Sequence, residues 1–138
     1  MKIHQPFLTG GGIMKGNFTT ILWDVDNTLL DFNYSCKGAL RQGFQAMGQN
    51  ITEEMIARYF EINDKYWKMF ERGEITTDEV LYKRFEEFFG EYGLLDLPGV
   101  SVDAFRIEFQ KSLGNIYSYL DDSLSICKAL QTKFKQYI

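Results

Sequence analysis

One histidine, two prolines and two cysteines in 138 residues leave several kinds of chemistry without material. His4 lies in the N-terminal segment, so a Ser-His-Asp or Cys-His mechanism has almost nothing to work with. Two thiols and one distant histidine do not assemble a zinc site either. Cys36 and Cys127 have neither CxxC spacing nor a secretory context, which reads as two reduced thiols in a cytoplasmic protein. The shortage of proline and of polar tracts argues against disorder over most of the length. No apolar run is long enough to span a bilayer. Charge of one sign is not concentrated anywhere: 15 Lys+Arg face 19 Asp+Glu, a net charge of -4. Nucleic-acid backbones are held by clustered positive charge, so a nucleic-acid partner is not expected.

What is present is core material. Hydrophobic residues make up 45% of the chain and aromatics 16%, enough for one domain with a small appendage. Residues 1–16, with Gly10-Gly11-Gly12 and a second methionine at Met14, are expected to be an extension, a tag or an alternative start rather than folded core. No strand precedes the glycine run, and Lys15-Gly16 reverses the Gly-Lys order of a phosphate-binding loop. Thr19 to Val25 is short, β-branched and aromatic, and lacks polar alternation. It predicts a strand buried on both faces, as in a parallel sheet.

Everything from Asn33 to about Lys135 reads as helix. The first runs to about Met47 and stops at Gly48. Thr52 caps the second, whose apolar stripe includes Met55, Tyr59, Ile62 and Tyr66, and Gly73 closes it. Thr76 and Glu79 form a capping box for the third, with Leu81, Phe85, Phe88 and Tyr92 as its buried face. Ser101 caps a fourth running to about Tyr117. A fifth starts at Asp121 or Asp122, ends near Lys135 and carries Lys128, Lys133 and Lys135 as solvated charge. A second strand is expected at Tyr137-Ile138. The order strand, helical bundle, helix, strand is a βαβ unit swollen by a helical insertion.

Asp24-Val25-Asp26-Asn27-Thr28 follows the apolar strand, where open α/β sheets place their ligand sites. Residues two apart on an extended chain point the same way, so Asp24 and Asp26 are expected to face one pocket while Val25 packs inward. Two such carboxylates repel by about 4 kcal/mol at an effective dielectric of about 20. A metal cation or a shared proton relieves them. Both remedies are chemically useful, supplying a carboxylate nucleophile, a neighbouring acid and a hard cation such as Mg²⁺. Asp-x-Asp alone also suits a turn or a helix cap. The preceding apolar strand, Thr28, Leu29-Leu30-Asp31 and the following helix make the pattern more specific.

Ile21-Leu22-Trp23-Asp24-Val25-Asp26-Asn27-Thr28 resembles the first signature of the haloacid dehalogenase superfamily, hydrophobic-Asp-x-Asp-x-Thr. The helical stretch behind it resembles the inserted cap of one subfamily. More narrowly, Glu61-Ile62-Asn63-Asp64-Lys65-Tyr66-Trp67, then Glu71-Arg72-Gly73-Glu74-Ile75-Thr76 and Arg84-Phe85, are similar to bacterial house-cleaning 5'-nucleotidases. The resemblance implies an α/β, Rossmann-like fold represented here mostly by its helical cap, the chain itself being predominantly α with one or two short strands. It places a partial core at 17–32 and 119–138 and the cap at 33–118.

By the same resemblance Asp24 is the nucleophile, Asp26 the acid and base, and Thr28 a bracing and substrate-side residue. Mg²⁺ is the implied cofactor, held by the Asp24 carboxylate and the Asp26 backbone carbonyl. A phosphorylated small molecule, in the narrower reading a nucleoside monophosphate, is the implied substrate. Phe32, Asn63 and Trp67 are within the range of positions that touch substrate, but their helical spacing favours core. The family also uses a Ser or Thr after its second strand, a Lys and further acidic residues. The sequence ends at Ile138, inside the strand that would carry the Ser or Thr, so a part-complete metal site and little or no turnover by these 138 residues are expected. Two other readings remain open: a non-catalytic helical interaction module, self-associating through the exposed strand and apolar surface, and simple divalent-cation binding by the two aspartates.

Overall fold

The computed structural model describes residues 17–138. The expected extension over 1–16, with its glycine run and His4, lies outside them. The described residues form β1 (Thr20–Leu22), α1 (Phe32–Ala46), α2 (Glu53–Glu71), α3 (Thr77–Glu91), α4 (Val102–Asn115), α5 (Ser123–Leu130) and β2 (Lys135–Tyr137). A predominantly helical chain with two short strands is what the sequence predicts. It divides into two compact units, one ending at Tyr34 and resuming over Tyr117–Ile138, the other Ser35–Ile116.

In the discontinuous unit β1 and β2 pair in parallel, with Thr20 opposite Lys135, Ile21 opposite Gln136 and Leu22 opposite Tyr137. Parallel neighbours need a crossover, and here the crossover is everything between. Trp23 ties the pair further: its backbone N–H donates to the Tyr137 carbonyl at 2.8 Å and its indole Nε1 donates to Gln136 Oε1 at 2.7 Å. The strand does not have the burial expected of it. Leu22 is 78% exposed and Thr20 is exposed. Among the described residues only β2 flanks β1, so Leu22 stays in solvent while Ile21, Trp23 and Val25 are half-buried.

The C-terminal part also departs from expectation. α5 ends at Leu130 rather than near Lys135, and β2 starts at Lys135. Lys128 is on the helix, Lys133 is in the following turn and Lys135 is in the strand. Gln131, Lys133 and Phe134 turn the chain with backbone bonds to Cys127 and Leu130. The Lys135 N–H then donates to the Thr19 carbonyl at 2.9 Å, so sheet pairing takes over where helix periodicity would have continued.

The other unit is a helical bundle whose ends follow local rules. Thr52 Oγ1 accepts from the Met55 N–H at 3.2 Å. Thr76 and Glu79 form the full reciprocal capping box, and Ser101 Oγ accepts from the Ala104 N–H at 3.3 Å. Such caps satisfy helix N–H groups that have no intrahelical acceptor. Gly48 and Gly73 end α1 and α2 with φ of 68° and 71°, a conformation that costs glycine little.

The bundle's core is aromatic. Phe44, Tyr59, Phe85, Phe88, Phe89, Phe105 and Phe109 are essentially fully buried. Phe105 meets Phe44, Phe85 and Phe89 edge-on at centroid distances of 5.6, 5.1 and 5.0 Å. Each such pair contributes about 0.5–1.5 kcal/mol beyond the area it buries. The buried face of α3 is Val80, Arg84, Phe85, Phe88 and Phe89, rotated from the expected Leu81–Tyr92 stripe. Leu81 is half-buried and Tyr92 exposed, because α3 packs against two neighbours and buries a face wider than a single stripe.

Candidate active site

The loop after β1 is built on one carbonyl. Val25 O accepts the N–H groups of Thr28, Leu29 and Leu30 at 3.2, 2.9 and 3.0 Å. The Asn27 N–H donates to the Leu30 carbonyl at 2.8 Å, folding Asp26–Leu30 into a tight reversal. That reversal puts Asn27 at φ 57°, a left-handed conformation that asparagine tolerates better than most side chains. Asn27 Oδ1 accepts the Phe32 N–H at 3.2 Å, and Asp31 Oδ1 accepts the Tyr34 N–H at 3.0 Å. Together they hold the first turn of α1.

The segment leading into α5 steadies the same loop from outside. The Asp31 N–H donates to the Ser118 carbonyl at 2.9 Å, and the Leu120 N–H donates to the Leu29 carbonyl at 3.0 Å. Ser123 Oγ adds a second bond to that carbonyl at 2.7 Å. Asn27 and Asp31 have a signal in the sequence, a loop Asn and an Asp just before a helix. Ser123 has none, because its partner is 94 residues away.

Within this frame Asp24 and Asp26 are exposed and Val25 between them is half-buried, the alternation expected of an extended run. Thr28 Oγ1 donates to Asp24 Oδ2 at 2.8 Å, leaving Asp24 Oδ1 without a hydrogen-bond partner among the described residues. Asp26 carries a pKa raised above the ordinary aspartate value. Partial desolvation is the larger cause, and the charge of Asp24 is the second. The pair therefore is electrostatically coupled. A cavity of about 880 Å³ in this unit is lined by Trp23, Leu29, Cys127, Phe134 and Tyr137 among others, and by neither aspartate. Both carboxylates are at the exposed surface of the loop.

Magnesium is commonly held by one or two carboxylates together with substrate phosphates and several waters. Asp24 and Asp26 fit that sparse pattern in type, since both offer hard oxygen donors. Among the described residues no group of three or more acidic, histidine or cysteine side chains could hold a metal. Two further sequence candidates belong to the helical unit. Asn63 is buried in the helical unit and accepts from Arg84 Nη1 at 2.6 Å, and Trp67 packs edge-on against Phe70 at 5.7 Å. Cys36 and Cys127 are free thiols, and burial pushes Cys36 up to about 12, which keeps it protonated and unreactive. No helix of the described residues is long and apolar enough to cross a membrane.

No family model matches the sequence. It is 33% identical over 121 residues to the Bacillus subtilis (strain 168) protein named "Putative HAD-hydrolase YfnB", a match covering 88% of this chain and 50% of that protein. A crystal structure of YfnB, described as bound to magnesium and as revealing interdomain movement, superposes with a TM-score of 0.78. That superposition covers 88% of this chain and 51% of the other. The chain thus spans about half the length of the relative it matches. The match in sequence and in fold agrees with the Asp24–Thr28 signature and the helical insertion behind it, and over the shared residues both support a member of the haloacid dehalogenase superfamily.

Proposed function

We propose that Asp24–Thr28 is the phosphoryl-accepting loop of a magnesium-dependent phosphomonoesterase. The observation that carries this reading is the Thr28–Asp24 bond. It fixes one carboxylate oxygen and presents the other, an arrangement that preorganises a nucleophile. In the reaction, Asp24 Oδ1 attacks phosphorus, the ester P–O bond breaks, and the leaving alkoxide takes a proton from Asp26. Asp26 then accepts a proton from water as that water attacks the aspartyl-phosphate, releasing phosphate and restoring Asp24. The raised pKa of Asp26 suits the donor half of this cycle. Asp24, through its carboxylate, and Asp26, through its backbone carbonyl, are the residues that would hold magnesium. When bound it offsets the negative charge of the transferring group.

Nucleoside 5'-monophosphates are the narrower substrate reading, resting on the helical segments that resemble 5'-nucleotidases. A reducing, cytoplasmic setting accords with two free thiols. Assaying phosphate release from nucleoside monophosphates with and without Mg²⁺, in the wild type and in Asp24→Asn, tests the reaction. Mg²⁺-dependent release lost in Asp24→Asn supports it. Release unaffected by that change overturns it.

A second reading is favoured by one observation. Leu22, Tyr137 and Ile138 are exposed apolar side chains on or beside the two-stranded sheet, and open strands recruit partners. Self-association through this sheet would appear as a dimer mass in light scattering that Leu22→Lys reduces. A monomer at every concentration sets it aside.

A further inference from the structure

Five arginines occur in the sequence, and four make carboxylate ion pairs: Arg41 with Glu53, Arg58 with Glu61 and Glu91, Arg72 with Glu74 and Arg106 with Asp103. Arg84 is the exception, and it is also buried, at 4% exposure. Its Nη1 donates to the neutral Asn63, and its guanidinium carbon lies 4.8 Å from the Phe85 ring centroid and 5.7 Å from that of Phe109. Its Nε has no hydrogen-bond partner. Burying a cation without a counter-charge is costly, and ring faces offset only part of that cost.

Arg84 also lines a groove of about 440 Å³ between α3 and α4, a volume in the range of small-molecule sites. Leu81, Phe85 and Ile107 give the groove apolar walls, and Arg106 and Gln110 line it with polar groups. Its one carboxylate, Asp103, is already engaged by Arg106 at 3.2 Å. Two guanidiniums against one paired carboxylate leave the groove with an excess positive charge, placed beside apolar surface.

We infer that this groove binds a small organic anion, its carboxylate meeting Arg84 and Arg106 and its apolar body lying against Leu81, Phe85 and Ile107. The anion supplies the counter-charge that Arg84 lacks. The site belongs to the helical unit and does not use Asp24 or Asp26.

Benzoate is the probe, with benzyl alcohol as its neutral counterpart and inorganic phosphate as a compact anion, each titrated into the ¹⁵N-labelled 138-residue protein. The expected result is saturable movement of the Leu81, Phe85, Arg106, Ile107 and Gln110 amides with benzoate. Benzyl alcohol and phosphate should each bind about tenfold or more weaker, the loss of a charge-assisted hydrogen bond or of the apolar contact. Arg84→Met should weaken benzoate by at least as much. Because Arg84 is buried, Ile107→Glu, at an exposed position, provides the variant that keeps the fold and repels the anion. No saturable movement at these amides, equal binding of benzyl alcohol or phosphate, or unchanged benzoate binding in Ile107→Glu overturns the inference.

Discussion

The Thr28 hydroxyl donates to Asp24 Oδ2 at 2.8 Å across a four-residue loop, and this bond ties the signature's last residue to its first carboxylate. Thr28→Val removes the donor while keeping the shape. At a surface position the loss of one hydrogen bond costs no more than about 1.5 kcal/mol of stability, to be read from urea unfolding. The larger effect is expected on the rate of phosphoryl transfer to Asp24, with Thr28→Ser restoring most of it. A Thr28→Val protein transferring at the wild-type rate would show the bond to be incidental.

Asp24 and Asp26 are coupled, and the coupling has a sign. Asp24 raises the pKa of Asp26, in second place after desolvation. Asp24→Asn should therefore lower the Asp26 pKa part of the way toward its ordinary value, as followed by ¹³C carboxyl titration. A raised acid pKa means that the folded state holds the proton more tightly than the unfolded one. The Asp26 contribution thus favours folding at low pH and is lost as pH rises from the unfolded value through the folded one. An Asp26 titration unchanged in Asp24→Asn would show that the two carboxylates do not interact.

The capping box of α3 behaves in the opposite sense. The Lys83 side chain, then the Thr76 backbone and hydroxyl, hold Glu79 down at about 2. Its stabilising contribution is present above the unfolded carboxylate range and is lost as pH falls from about 4.5 toward about 2. Thr76→Ala removes the cap itself and should cost about 1 kcal/mol at neutral pH. Thermal unfolding of Thr76→Ala and Glu79→Gln across this range provides the check, the Glu79→Gln difference shrinking as pH falls.

Two helical glycines make a matched pair. A Cβ on Gly43 would stand 2.5 Å from Phe105 Cε2, and that ring is locked among Phe44, Phe85 and Phe89. Gly43→Ala should destabilise by about 1–3 kcal/mol through overpacking. A Cβ on Gly114 meets nothing within 4 Å, and Gly114→Ala should stabilise α4 by about 0.5–1 kcal/mol. Denaturant midpoints of the two variants moving in the same direction would contradict this packing.

What the sequence made legible was local. Thr52, Thr76 with Glu79, Ser101, Gly48 and Gly73 act within four residues of themselves, so their roles are written in the nearby letters. The same holds for Asp24, Asp26 and Thr28, whose spacing and preceding strand mark the loop. Features set by distant partners were not legible. α5 stops at Leu130 with no glycine or proline there, because β2 must begin opposite Thr20. Ser123 braces Leu29 from 94 residues away. Arg84 stands out in the sequence only beside Phe85 in the nucleotidase-like pattern, and its burial against Asn63 and Phe109 exists only once three helices have packed. The apolar β1 run predicted burial on both faces, yet Leu22 is exposed: composition reports a preference for neighbours, not their presence.

Whether Asp24 accepts a phosphoryl group is the most direct test of the proposed chemistry. The protein is incubated with Mg²⁺ and acetyl phosphate, quenched in acid and reduced with borohydride, which converts an aspartyl-phosphate to homoserine, and the peptide containing residues 24–28 is sequenced by mass spectrometry. The expected result is homoserine at position 24, dependent on Mg²⁺ and absent from Asp24→Asn, even if steady turnover by these 138 residues is slow. No modification at position 24, or label that appears on another residue and persists in Asp24→Asn, would contradict the assignment of Asp24 as the nucleophile.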